Sequence, residues 1–485
     1  MLAACGFATG ALRLLKAVDL SDEPNGHFAD SFAKILFIEF ADDGTKLATA
    51  DGEGVICLYR NNTQDWNKTW VYVGCHQSHT GAVLNLAFVR EVGVEKDRLF
   101  TLGLDGCLVE YDLDQSADGD LLIQYREMID SEDQPFAFAL YPPISKESFL
   151  ITSNNKYKLR LWNVTTKLCR KTVNGPLQGS PVMGMTALPL REGNSSRYLL
   201  WRNADCVGLM ALPLDGNPYR YCSRRVHPLG ITCMKPSPSG RFVFTAGGPE
   251  AIVNMWSLHP EILDASLEAS KDSLIPFFDL LEGGMDGELY KRLEQYFVYL
   301  QLKMQGLETR EARVVQDVLP LQELPNLFCA LSYYPSEQEK KNIMQEIKYS
   351  QYAETGLLVD QVDVPTALKT FVNHRPIWGI QYPDLIKAFA KFGFEELRTC
   401  IKPPQLVQIL KGIGESMSEE EAVNTLSVLT NLRPPLADWE GVGAERDFFR
   451  PGTTLPKEFT VKDVIEEVFG FETTDAFYGP PDNSL

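Results

Sequence analysis

The sequence predicts a multidomain β + α chain: an incomplete β-propeller of about five blades and part of a sixth, followed by a helical domain. Three observations point there. Short alternating apolar–polar runs that close on an aromatic or apolar residue recur at positions 59, 111, 162, 211 and 256, spaced 52, 51, 49 and 45 residues apart. A period near 40–50 with several short strands per unit belongs to a propeller. After Trp256 the alternation gives way to helical spacing. The charge breaks at the same place: residues 1–260 hold 25 Lys+Arg against 28 Asp+Glu, and residues 261–485 hold 21 against 37. The predicted boundaries are 1–258 for the propeller, 259–285 for a linker whose residues Glu261 to Gly284 read as a short helix and linker, 286–470 for the helical domain and 471–485 for a C-terminal tail.

Within each period an early strand precedes the closing hairpin: Ile35–Phe40, Val83–Val89, Phe136–Tyr141, Met183–Leu188 and Ile231–Lys235. The hairpins are Leu47–Tyr59, Leu99–Tyr111, Phe149–Trp162, Tyr198–Leu212 and Phe242–Trp256, and Ala211 takes the aromatic place in the fourth. Run backwards, the period matches Cys5–Lys16 to the second half of a blade, with Leu15 in the aromatic position 44 residues before Tyr59. The chain is therefore expected to start inside a blade. That reading also accounts for the apolar start, Met1–Ala11, which lacks the basic n-region of a signal peptide.

The second period carries His79-Thr-Gly-Ala-Val, Thr101, Asp105-Gly and Tyr111-Asp112. On these residues the first half resembles the WD40 family, in which His, Ser/Thr, turn Asp and aromatic form a hydrogen-bonded brace within a blade. The resemblance makes His79 a structural histidine. Tyr111 replaces the usual Trp, and Glu53, Lys156 and Glu250 stand where the turn Asp would be, so those braces are expected to be weakened. Cys75, His76 and His79 have no nearby fourth ligand, so zinc is not predicted.

The helical half is expected to carry helices at Leu289–Met304 and near 321–332, 336–348, 364–373, 382–392, 403–414, 418–430 and 460–469. Ser336 with Glu339 and Ser418 with Glu421 are capping boxes. Leu321–Leu331 with Pro335–Glu339 and Ile343–Ile347, and again Pro404–Leu410 with Met417–Glu421 and Leu426–Thr430, resemble the linked helices of calmodulin. That resemblance implies four degenerate EF-hand units. A calcium loop needs oxygen ligands at positions 1, 3, 5 and 12. With Leu319 as the apolar eighth residue, the first loop offers Ala312, Val314 and Gln316, and only Glu323 survives. The second starts near Lys348 and carries extra residues before Val362. The third, anchored on Ile401, has Phe394, Glu396 and Arg398. The fourth is interrupted by residues 433–457. Apolar and basic groups cannot replace the water shell of a hard cation, so no metal is predicted. The apolar groove by which such domains grip a helix is expected to persist.

The formal net charge of -19 argues against nucleic acid as a partner. No run of 18 apolar residues exists, so no membrane helix is predicted. The ten cysteines form no CxxC pair and read as small apolar residues in a reducing compartment. GxSxG, HExxH and GxxxxGK[ST] motifs are absent, and the sequence nominates no catalytic, cofactor-binding or metal-binding residue and no cofactor.

The join of the two halves, with Tyr333–Glu339, Ile347–Ser350 and Val372–Pro376, resembles a cilia- and flagella-associated family: the WD-repeat subunits of the calmodulin- and spoke-associated complex at the base of radial spokes. The likeness covers almost the whole chain as the C-terminal part of a longer protein. It implies a non-catalytic scaffold in the cytoskeleton of motile cilia and sperm flagella, supporting axoneme assembly and motility. It implies spoke-base and other axonemal proteins, calmodulin and the microtubule doublet as partners. The alternatives are a calcium-responsive regulator acting through the EF-hand-like domain and an intraflagellar transport adaptor.

Overall fold

The computed structural model describes residues 2–62, 69–90, 96–129, 133–142, 147–189, 197–269, 274–306, 310, 312–394, 396–430 and 458–471. Insertion 433–457 and all but the first residue of the 471–485 tail lie outside them. The chain divides into two compact units, Met1–Arg375 and Pro376–Leu485.

Six antiparallel sheets follow one another in the first unit. The first holds β1 (Leu2–Gly6), β2 (Leu12–Lys16) and β3 (Asp22–Phe28). The second holds β4 (Ile35–Phe40), β5 (Lys46–Asp51), β6 (Val55–Asn62) and β7 (Thr69–Gln77); the third holds β8 (Val83–Arg90), β9 (Asp97–Gly103), β10 (Cys107–Ala117) and β11 (Gly119–Met128). A short parallel pairing, Gly74 with Gly119 and Cys75 with Asp120, joins β7 to β11 and merges these two sheets. The fourth holds β12 (Pro135–Tyr141), β13 (Phe149–Asn154), β14 (Lys158–Asn163) and β15 (Cys169–Asn174). The fifth holds β16 (Gly184–Ala187), β17 (Tyr198–Arg202), β18 (Cys206–Ala211) and β19 (Tyr221–Arg225), and the sixth β20 (Ile231–Pro236), β21 (Phe242–Gly247) and β22 (Ile252–Ser257).

The pleat explains how the sheets stack. Side chains alternate across a strand, so one strand feeds two cores. Leu99, with Val109 and Tyr111, packs on Ala48, Leu58 and Leu86. Its neighbours Phe100 and Leu102, with Leu108, pack on Phe138, Leu150 and Trp162 of the next sheet. Strands buried on both faces read as nearly continuous apolar runs, and each fully buried Phe or Leu contributes about 1.5–3 kcal/mol. The leading strands β4, β8, β12, β16 and β20 line a common channel of about 560 Å³, bounded by Phe37, Leu86, Ala139, Met185 and Met234 among others. The arrangement is propeller-like.

The sixth sheet departs from this pattern. Met234 and Val243 are buried against Leu200 and Tyr198, whereas Phe242, Phe244, Val253 and Met255 are exposed.

The segment expected as a linker holds α1 (Glu261–Ala269) and α2 (Ile275–Phe278). After it come α3 (Glu288–Met304), β23 (Val318–Pro320), α4 (Leu324–Ala330), α5 (Glu337–Lys348), α6 (Tyr352–Thr355), β24 (Gln361–Asp363) and α7 (Val364–His374). Phe277, Phe278 and Leu281 join Phe297, Leu327, Phe328, Ile343 and Phe371 in one core. The end of the linker is thus part of the helical core, while Leu263 of α1 packs on the fifth and sixth sheets, and α5 and α7 pack on β15. For that reason the unit boundary falls at Arg375/Pro376, inside the 286–470 domain drawn from sequence, and not in 259–285.

The second unit holds α8 (Tyr382–Lys391), β25 (Cys400–Ile401), α9 (Pro403–Gly412), α10 (Glu419–Thr430), β26 (Phe459–Thr460) and α11 (Val461–Asp463), which runs on to Val468 as a wider helical turn. Its core gathers Leu385, Phe389, Ile401, Leu406, Leu426, Phe459, Val464 and Ile465. Among the described residues no helix is long and apolar enough to cross a membrane.

Candidate interaction site

Antiparallel order puts the turns β1–β2, β5–β6, β9–β10, β13–β14, β17–β18 and β21–β22 at the same end as the connections between sheets. Side-chain braces fix that end. In the third sheet Tyr111 donates its hydroxyl to Thr101 Oγ1 (3.0 Å), Thr101 to His79 Nε2 (2.8 Å), and His79 Nδ1 to Asp105 (3.1 Å). Burial lowers the His79 pKa against the pull of Asp105, which keeps the ring neutral for this relay. Asp105 is raised by burial but held below the usual carboxylate value by His79 and by the Cys107 and Thr80 amides.

The sixth sheet repeats the brace with a longer acid. Trp256 Nε1 donates to Thr245 (3.0 Å), Thr245 to His227 Nε2 (2.9 Å), and His227 Nδ1 to Glu250 (2.9 Å), which also accepts from the Leu229 amide. The expectation that Glu250 weakens the brace is therefore corrected. The extra methylene of Glu250 still delivers a carboxylate to the ring.

The second and fourth sheets use another construction. Asp51, two residues after Thr49, accepts from the Glu53 and Val55 amides and from Ser31 (2.5 Å). Asn154, two residues after Thr152, accepts from the Lys156 and Lys158 amides and donates to Asp133 (3.0 Å). Neither Glu53 nor Lys156 has to replace the turn acid. In the braces with His the matching residues are Gly103 and Gly247. A Cβ on Gly103 would collide with His79 Nδ1, and one on Gly247 would lie 2.6 Å from His227 Nδ1. A histidine and a side chain at this position exclude each other. Asn203 fills it in the fifth sheet, accepting from the Asp205 and Cys206 amides and donating to the Gln178 and Ser180 carbonyls. There Trp201 stands in the threonine place and packs over Gly208, and the register puts Met210, opposite Leu199, where an aromatic was expected, while Ala211 pairs with Tyr198 and faces the other side of the sheet.

At this braced end Phe7, Phe32, Leu104, Leu177 and Leu229 are exposed, Phe32 by 98%. Apolar tips on a stiff frame suit protein docking. Among the described residues no group of three or more His, Cys, Asp or Glu side chains could hold a metal. His76 pairs with Ser78 (3.2 Å) while His79 serves the brace, so Cys75, His76 and His79 do not converge.

A second feature, unseen in the sequence, is the seam between the fourth sheet and the helices. Lys158 Nζ donates to Asn174 Oδ1 (2.6 Å) and to the main-chain oxygens of Asn373 (2.5 Å) and Arg375 (2.7 Å). These oxygens end α7 and would otherwise lack partners. Burial, with Arg160 next, lowers the Lys158 pKa to about 7. Asn174 donates to the Val372 carbonyl (2.9 Å), and Asn373 to the Asp215 carbonyl (2.9 Å). Glu346 accepts from the Thr172 amide and from His374, both at 2.9 Å. Gly216 leaves room for Asn373, since a Cβ there would overlap the amide.

The loops of the helical half pair two by two. Leu319 faces Val362 across β23–β24, and Ile401 faces Phe459 across β25–β26. In the first loop Gln301 donates to the Gln316 carbonyl (2.8 Å) and accepts from its amide (2.7 Å), while Gln305 does the same for Val314 (2.6 and 3.0 Å). Two glutamines thus order a loop whose Val314 and Val315 are exposed. Glu323 accepts from Asn326 (2.8 Å).

Residues 288–469 match the CFAP251 C-terminal domain. Over 98% of the chain the sequence is 34% identical to cilia- and flagella-associated protein 251 of Mus musculus and 35% identical to that of Pongo abelii. The protein of the same name from Tetrahymena thermophila is 28% identical over 90% of the chain. The chain spans 37%, 42% and 48% of the length of these relatives, respectively. A chain of a crystal structure titled Mitotic Checkpoint Complex aligns with 53% of this chain and 71% of its own length, at 16% identity and a TM-score of 0.40.

Proposed function

We propose that the chain, 34% and 35% identical over 98% of its length to cilia- and flagella-associated protein 251 of two mammals and matching that family's C-terminal domain at residues 288–469, is a non-catalytic scaffold of the ciliary and flagellar axoneme. The observation that carries this reading is the seam: Lys158, Asn174 and Glu346 fasten the first helical group to the fourth sheet, giving one stiff body with a braced docking end. In this reading the sheets are a WD40 propeller of five blades and part of a sixth, and the helices are degenerate EF-hands. The loop pairings Leu319–Val362 and Ile401–Phe459 support the second assignment, because paired hands meet through a short two-stranded contact at the eighth loop residue. The chain then works at the radial-spoke base, supporting motility, with spoke-base subunits, calmodulin and the doublet microtubule as partners.

Detergent extraction of axonemes tests the proposal. A built-in subunit stays with the microtubules and contributes density at the spoke base by tomography. A chain released with the soluble matrix is a transport adaptor instead. The same loop pairings favour the calcium-responsive regulator as the second reading, and calorimetric titration with calcium separates it from the scaffold.

A further inference from the structure

We propose that Cys57 and Cys75 are a peroxide-sensitive dithiol that closes to a disulfide across the β6–β7 hairpin. The two residues are direct partners in the antiparallel ladder. The Ser78 amide donates to the Gly54 carbonyl (3.1 Å), which makes Gly54/Ser78 a hydrogen-bonded pair. Bonded and open pairs alternate, so Val55/Gln77 is open, Ile56/His76 bonded and Cys57/Cys75 open. In an open pair the Cα atoms stand about 4.5 Å apart with the side chains closest, inside the roughly 4.4–6.8 Å that a disulfide spans. Both thiols are free, and they touch the same cluster of Tyr59, Trp70 and Tyr72.

The two thiols differ in the way a sensor requires. Cys57 is fully buried, and burial, with Cys75 next, pushes its pKa up to about 12. Cys75 is half-buried and packs with Tyr72 on the edge of the same cluster. Cys75 is therefore the thiol that meets the oxidant. Its thiolate attacks one oxygen of hydrogen peroxide, the O–O bond breaks, hydroxide leaves and Cys75 becomes a sulfenic acid. The Cys57 sulfur then attacks the Cys75 sulfur, the S–O bond breaks, the Cys57 proton leaves with the hydroxide as water, and the disulfide forms. Two electrons pass from the thiols to the peroxide.

Location gives this chemistry a consequence. Cys75 is also the residue that pairs with Asp120 of β11, in the parallel contact that merges the second and third sheets. Gly74 lets β11 approach there, since a Cβ would lie 2.5 Å from the Asp120 carbonyl carbon. A covalent bridge from β6 to β7 stiffens the strand that carries this joint.

The test uses the full chain, reduced, exposed to hydrogen peroxide, alkylated with iodoacetamide and digested for mass spectrometry. The expected product joins the Cys57 and Cys75 peptides with the mass of two hydrogens lost, and dithiothreitol reverses it. With dimedone present, Cys57→Ser takes the adduct on Cys75, while Cys75→Ser takes none on Cys57. Hydrogen exchange at 74–75 and 119–120 slows on oxidation of the natural sequence only. Peroxide that leaves both thiols alkylatable, links them only between chains, or places the adduct on Cys57 overturns the proposal. The alkylation of the natural sequence decides the question even where a variant folds poorly.

Discussion

The Lys158 ammonium donates to the main-chain oxygen of Asn373 at 2.5 Å, joining a propeller-like sheet to the end of a helix 215 residues further along the chain. The same nitrogen holds Arg375, the last residue of the first compact unit. One side chain thus ties off α7 where the chain passes into the second unit.

Lys158→Met keeps the aliphatic stem and removes the donors. It leaves two buried carbonyls unpaired, at about 1–3 kcal/mol in total stability. Hydrogen exchange should quicken at 370–375 while β13 and β14 stay protected. An unchanged exchange pattern would show that the helix end is held by Asn174 and Glu346 alone.

The brace of the third sheet carries a pH dependence. The folded pKa of His79 lies below its unfolded value of about 6.5, so the unfolded chain takes up that proton first and stability falls as pH drops below about 6.5. Asp105 acts in the same direction lower down: its folded pKa is depressed, and its contribution is lost as pH falls below about 3.9. Urea midpoints measured from pH 7.5 to 5 should decline, and His79→Asn should flatten that decline by up to one proton. Gly103→Ala should cost about 1–3 kcal/mol at pH 7, because the new methyl displaces the ring from Asp105.

Calcium should not bind more tightly than about millimolar, because the first loop presents no cluster of carboxylates. Glu323→Ala should leave the calorimetric trace as it was. Gln301→Ala, by contrast, should speed exchange at the Gln316 amide, since a glutamine holds that loop. A micromolar constant lost on Glu323→Ala would reverse the assignment and favour the calcium-responsive reading.

Periodic features were legible in the sequence, and long-range ones were not. The strands around Tyr59, Tyr111, Trp162 and Trp256 could be placed because a closing aromatic recurs at a regular spacing. Glu250 was misjudged because a motif records residue type, whereas the brace needs only a carboxylate within reach of His227. Asp51 and Asn154 were overlooked because they occupy the place that glycine holds beside a histidine. Lys158 carried no local signal at all: its partners Asn373 and Arg375 lie 215 and 217 residues away, and a single lysine in an alternating strand reads as solvent-facing. The linker misled for a related reason. Leu274–Leu281 is too short to show a helical period, yet its aromatic pair enters the helical core.

That aromatic pair gives the most direct test of how the first helical group is held. Phe277 is 1% exposed, packs with the core that contains Phe297, Phe328 and Phe371, and lies under Lys369, whose ammonium is 5.4 Å from the ring. Two residues on, Asp279 accepts from the hydroxyl of Tyr219 beside the fifth sheet, and the Leu280 carbonyl accepts from Arg375 (2.8 Å). The segment is thus gripped by helices and sheet at once. Removing the ring leaves a cavity among large side chains that cannot collapse onto it, so Phe277→Ala should cost about 3–5 kcal/mol. The loss should show as early exchange of α3, α4 and α7 together, because they share that cavity wall, with β8–β14 unaffected. Phe277→Leu should restore most of the stability. If Phe277→Ala melts with the parent chain, the segment rests on the helices without anchoring them, and the seam at Lys158 alone joins them to the sheets.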